Sequence, residues 1–187
     1  MVADFRCERG SGGTEIEQGA DVQDVSRADR RGKPPRQRMA DRAAETTLTF
    51  ADHAGKVIEI NDADGAVTLP TIAANSASAV AGADDLSVNS HIGAVYKFVV
   101  GTDCTDCDIK TDGTDKFVGH ATVVNVSDGT NNTFVPATAN DVISMNGGTT
   151  GGDRGSTVTI TAIADNEYLV EAVLIGAGTE ATPFANS

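Results

Sequence analysis

The chain has no tryptophan, two tyrosines and six phenylalanines among 187 residues. A core cannot therefore be assembled around large rings, and must use the Ala, Val and Ile that dominate the apolar fraction, which suits strands better than thick helices. Three cysteines, an odd number, do not make the framework of a disulfide-stapled secreted domain, and a reducing compartment fits better. No stretch approaches the roughly 20 consecutive apolar residues of a membrane-crossing helix. The first residues also lack the basic, apolar and small-residue order of a secretion signal. The expectation is a protein made in the cytoplasm, with no membrane and no cofactor.

Basic residues are scarce too, 14 against 27 acids, and they are unevenly placed. Residues 1–44 hold nine of them, leaving that stretch at about +1 and the rest of the chain at about −14. A body so acidic repels nucleic acid, whose binding needs several Lys or Arg to displace phosphate counterions. The N-terminal stretch has few apolar residues, a featureless segment at 10–13 and the basic, proline-bearing run RRGKPPRQR at 30–38. Alone it buries too little surface to offset its ordering entropy. As an arm it is long, on the order of 140 Å at about 3.3 Å per residue, and Pro34 and Pro35 keep its middle extended.

What is abundant is glycine, threonine and alternation. Leu48 and Phe50 alternate with Thr47 and Thr49, and a second strand follows at 57–60. Residues 61–65, NDADG, read as a tight turn leading into a strand at 66–69, which together predict a hairpin. Residues 73–90, rich in Ala, Ser and Asn, read as a loop or one short helix. Further strands are expected at 94–100, 108–110, 121–126 and 142–145, then a glycine loop at 147–155. The clearest hairpin pairs 156–163 with 168–175, and Phe184 lies in an irregular tail. About eight short strands with frequent turns predict an all-β fold: an antiparallel β-sandwich, jelly-roll-like, or a small barrel, over residues 45–187, with an extended basic N-terminal arm over 1–44.

Chemistry-bearing motifs are few. Cys104 and Cys107 form a lone CxxC, which binds zinc only if two more ligands such as His91 and His120 converge; free thiols are the expectation. Asp62, Asp64, Asp103, Asp106, Asp108, Asp112 and Asp115 supply oxygens of the kind calcium takes, but without EF-hand spacing they read as solvated turn residues. The glycine loop lacks the GK[ST] ending of a phosphate loop and precedes a strand. His53, His91 and His120 stand in no motif with a nucleophile, and Glu59 and Glu171 are outward strand positions. No catalytic residue and no metal site is assigned, and a non-enzymatic protein is expected.

The order of phrases carries a resemblance. LTFADHAGKVIEINDADGAVTLPTI, GAVYKFVV, VSDGTNNTFV and GSTVTITAIADNEYLVEAVLIGAGTEATPF, spread over residues 46–184, resemble small virion proteins of tailed phages, including capsid decoration or cement proteins. One departure is the Asn132-Thr133 pair that precedes Phe134, where an aromatic often follows the turn directly. The resemblance implies a homotrimer at local or quasi-three-fold positions on the outside of a capsid, assembled in the host bacterial cytoplasm and tying neighbouring major capsid protein subunits together. It says little about residues 1–44. Their role rests on charge: Arg27, Arg30, Arg31, Lys33, Arg36, Arg38 and Arg42 are the residues suited to pair with capsid carboxylates, arginine being the better fork. A tail fibre, spike or carbohydrate-binding module is the alternative of a different class. It calls for exposed aromatic platforms. A small hydrolase comes third.

Overall fold

The computed structural model describes residues 37–38, 46–72 and 91–187. Most of the arm, Cys7 and the 73–90 stretch lie outside these. The described chain is nearly all β, twelve strands and one turn of helix, arranged as two facing sheets around one core.

The larger sheet has the order β1 (Gln37–Arg38), β3 (Val57–Ile60), β5 (Val95–Val100), β10 (Thr157–Ala164), β11 (Glu167–Gly176), β7 (Lys116–Asn125), β8 (Asn131–Phe134). The smaller has the order β12 (Phe184–Ala185), β9 (Val142–Met145), β6 (Asp106–Lys110), β4 (Asp64–Thr68), β2 (Thr46–Thr47). Alternation sorts the side chains as period-two geometry requires. Tyr96, Phe98, Val158, Ile160, Tyr168, Val170 and Leu174 point inward from the larger sheet to meet Val67, Ile109, Ile143 and Met145 of the smaller. Each of these buried aliphatic or aromatic side chains contributes about 1.5–3 kcal/mol of burial free energy.

The all-β, sandwich-like expectation is met, with a mixture of parallel and antiparallel ladders in both sheets. The hairpin β10–β11 forms as expected, turning at Asn166 with φ 62°. The hairpin expected around residues 61–65 does not form. Here the chain crosses from one sheet to the other, because the backbone groups of this link bond to the neighbouring link between β5 and β6. Gly101 N donates to Ile60 O at 2.7 Å and Thr105 N to Ala63 O at 2.6 Å, while Thr102 Oγ1 donates to Asn61 Oδ1 at 2.8 Å. Two such crossings side by side, β3 to β4 and β5 to β6, run in the same sense, so β3 pairs with β5 in parallel and β4 with β6 likewise.

The strand expected through Leu48 and Phe50 stops after β2. Thr49 caps a single helical turn, α1 (Phe50–His53), its Oγ1 accepting from Asp52 N at 3.2 Å, and that local bond outcompetes strand pairing. Strand β8, absent from the sequence reading, is held as an edge by a Thr122–Thr133 hydroxyl contact of 2.9 Å and by Glu180, which accepts from Thr130 and Asn132. Phe184 is buried, because β12 pairs with β9.

One ion pair ties these ends together among the described residues. Lys116 Nζ lies 2.6 Å from Asp141 Oδ2, and Asp141 Oδ1 accepts from Ser187 N at 2.8 Å. Burial works to raise the Asp141 carboxyl, but Lys116 and Ser187 hold it below its ordinary 3.8. Replacing Lys116 by methionine is expected to destabilise the protein by about 2 kcal/mol at pH 7, less than for a fully buried pair because the lysine is partly solvated. A depressed carboxylate contributes stability above its unfolded pKa and loses it as pH falls through the folded value. The difference between wild type and Lys116→Met, measured by urea unfolding, should therefore shrink below pH 3.8 and vanish in stronger acid.

Candidate functional site

Of the seven basic residues suited to a partner, Arg27, Arg30, Arg31, Lys33, Arg36 and Arg42 lie outside the described residues. Arg38 is in β1, whose backbone runs parallel to β3 with Arg38 opposite Glu59 in register. The basic stretch thus joins the body at the edge of the larger sheet.

The CxxC pair sits where the β5–β6 link enters the smaller sheet. Both thiols are free and buried. Cys104 donates to the Cys107 sulfur, which with burial pushes the Cys104 thiol up, while accepting that bond draws Cys107 down against its own burial. Cys107 Sγ in turn donates to the Asp62 carbonyl at 3.3 Å. The glycine loop closes over this pair: Cys104 N donates to Gly152 O at 2.9 Å, and a Cβ at Gly152 would come within 2.7 Å of Met145 Cβ and 3.0 Å of Cys104 Cβ. Many of the loop amides are committed within the fold. Gly147 N bonds Gly151 O, Gly148 N and Thr150 N bond Asn146 Oδ1, and Asp153 N bonds Ile175 O. The loop is a packing device around Cys104.

Of the seven aspartates, Asp64, Asp106 and Asp108 lie in the paired strands β4 and β6, and the others lie in links, where they accept backbone bonds. Asp62 Oδ1 accepts from Asp64 N, Asp103 Oδ1 from Arg154 N, and Asp112 Oδ1 from Thr114 N. Asp115 is fully buried, accepts from Ile72 N at 2.9 Å, and is pushed up by burial against that bond. Among the described residues no group of three or more His, Cys, Asp or Glu is placed to hold a metal ion. His91 stacks on Phe50 at 4.7 Å and bonds the Thr71 carbonyl, His53 folds back on Thr49, and His120 stands exposed on β7.

The feature that sequence reasoning missed is the contrast between the two outer faces. The smaller sheet turns Asp64, Asp106 and Asp108 outward. The larger sheet turns out Val95, Val99, Val118, Val124, Leu169, Val173 and Ile175, interleaved with threonines from β10. Val173 alone remains 49% exposed. Across its middle runs one cross-strand row: Val57, Lys97, Thr159, Glu171, His120. The signal was present in the sequence as valines at the outward positions of strands whose inward positions are also apolar.

No family model, no curated protein and no solved structure matches the chain.

Proposed function

We propose that this chain is a non-enzymatic structural virion protein that binds the outside of a phage capsid and cements neighbouring major capsid protein subunits. The single observation that carries the reading is the division of charge: a long basic arm of about +1 joined to a body of about −14. The described part of that stretch, β1, lies at the edge of the larger sheet, beside β3. The phrase order that resembles cement proteins supports it too. A tethered segment adds its contacts at high effective concentration, so a modest set of arginine–carboxylate pairs suffices to hold a body on the shell. Three copies at a local three-fold site is the assembly that the resemblance implies, and cementing itself needs only that one chain touch two capsid subunits.

A carbohydrate-binding module would present rings to solvent. Tyr96, Tyr168, Phe98 and Phe117 are all in the core, and Phe50 is the exposed ring among the described residues. This weighs toward the cementing reading.

The test is co-sedimentation with expanded capsids. Deleting residues 1–44, which removes the two-residue edge strand β1 but no core residue, or replacing Arg27, Arg30, Arg31, Lys33, Arg36, Arg38 and Arg42 by glutamine at full length, is expected to weaken binding at least about tenfold while leaving the body folded by circular dichroism. Binding of the wild type should fall with added salt. Full-strength binding by both altered chains would sink the proposed role of the arm.

A further inference from the structure

The outer face of the larger sheet carries valine, leucine and isoleucine side chains among its threonines and charges, and two of those charges, Lys97 and Glu171, lie where a second copy would complement them. We propose that this face is a two-fold interface, occupied by the same face of a second copy of the chain.

The registers supply the argument. Strand β10 lies between β5 and β11, and Thr159 stands in register with Lys97 on one side and Glu171 on the other. Two sheets packed face to face by a two-fold axis must have that axis in the plane between them. With the axis running along β10, positions on β5 of one copy fall opposite positions on β11 of the other. Lys97 then meets the partner's Glu171, and Glu171 meets the partner's Lys97. On either side of that row, Val99 meets the partner's Val173 and Val95 meets the partner's Leu169, because these pairs share the Thr157 and Thr161 registers. The β10 threonines lie on the axis against themselves. Twist sets the two sheets at about 30°, which still keeps the central row in contact.

Charge and area both fit this occupant. Lys97 and Glu171 are exposed, and the ion pair of the described chain, Lys116–Asp141, uses neither. They stand two ladder steps apart across β10, about 10 Å at about 4.8 Å per step. Five strands, β3 to β7, at that spacing and about 3.3 Å per residue make a face of roughly 24 by 25 Å before side-chain relief, near the roughly 800 Å² per partner of a standard stable interface.

Pairing through this face is independent of what the arm binds, and the two fail separately. Light scattering coupled to size exclusion on the full chain should give about 38 kDa, twice the 19.2 kDa of one chain. Lys97→Glu, which sets glutamate against the partner's Glu171 at two symmetric places, should raise the dimer Kd at least about tenfold, and the double charge reversal Lys97→Glu with Glu171→Lys should restore it. Both side chains are exposed, so circular dichroism should stay that of the wild type. A wild-type monomer, a trimer near 58 kDa at three times the chain mass, or a Lys97→Glu chain that dimerises undiminished overturns the two-fold face. The chain with its arm arginines replaced should remain dimeric even where it releases capsids.

Discussion

Gly119→Ala is expected to destabilise the protein by about 3–5 kcal/mol, a loss large enough to leave much of the chain unfolded at 37 °C. Gly119 lies mid-strand in β7, in parallel register with Val170 of β11, at φ +107°. A side chain there is strained for any L residue, at about 1–3 kcal/mol. The larger part is steric: a Cβ would stand 2.2 Å from the Val170 carbonyl oxygen and 3.0 Å from Val170 N. Both obstacles are backbone atoms of β11, an interior strand of the sheet, so relief requires the β7–β11 ladder to open and its hydrogen bonds to be lost. Gly129→Ala is the control. Its φ is similar, +77°, with nothing within 4 Å of the added carbon, and it should cost only about 1–2 kcal/mol. Urea midpoints for the two variants that coincide would show that the close approach to Val170 does not govern the effect.

The second large effect is at Tyr168. It is fully buried on β11, meets Tyr96 edge-to-face at 6.4 Å, and donates its hydroxyl to the Pro70 carbonyl at 2.5 Å. That last bond joins the centre of the larger sheet to the segment that leaves β4 of the smaller one. Two substitutions separate its parts. Tyr168→Phe keeps the ring and strands the Pro70 carbonyl, for about 1–2 kcal/mol; Tyr168→Ala also opens a cavity where the two rings meet, for about 4–5 kcal/mol in all. The difference between the two in denaturant unfolding measures the packing of the ring. Burial also holds both phenols above the ordinary value of 10, with Tyr96 pushed up to about 12, so neither should ionise appreciably at pH 10 while the fold is intact.

How far the fold could be read depended on whether the information was local. The β10–β11 hairpin was legible because alternation on both strands and the turn between them lie within twenty residues. The NDADG turn was misread for an instructive reason. Turn residues report that a chain bends, but whether the next strand pairs with the last or crosses to another layer depends on Gly101 and Thr105, forty residues on. Parallel pairing of β7 with β11 is hidden for the same cause: its partners are about fifty residues apart and each strand alone looks like any other. Strand β8 escaped because its sequence, NNTF, opens on two asparagines that read as part of the preceding turn, and the edge is held by Thr122 and Glu180. The twin roles of strand faces were half visible. Inward residues such as Val158, Ile160, Val170 and Leu174 announced the core, but that Val95, Val99, Leu169 and Val173 would lie together on one exterior surface needed the registers of two ladders. Of the candidate chemistry, the lone CxxC left free thiols, a local disulfide and zinc open, with free thiols expected because no second ligand pair is evident, and nothing in the spacing showed that both cysteines would be buried under the glycine loop.

The strand order of the larger sheet also fixes a timetable. Its spine, β10 and β11, is the last part of that sheet to be synthesised, while β3, β5, β7 and β8, which flank the spine, emerge from the ribosome earlier. At about 5–20 residues per second, β5 waits roughly 3–13 s for β10, the strand that will cover its open edge. During that interval the nascent chain carries unpaired valine-rich strands, the kind of segment that invites chaperone binding or aggregation. Cooperative protection of the whole sheet should then appear in a single late step, once residue 176 has cleared the exit tunnel, and slowing translation upstream of β10 should lower the soluble yield more than slowing it afterwards.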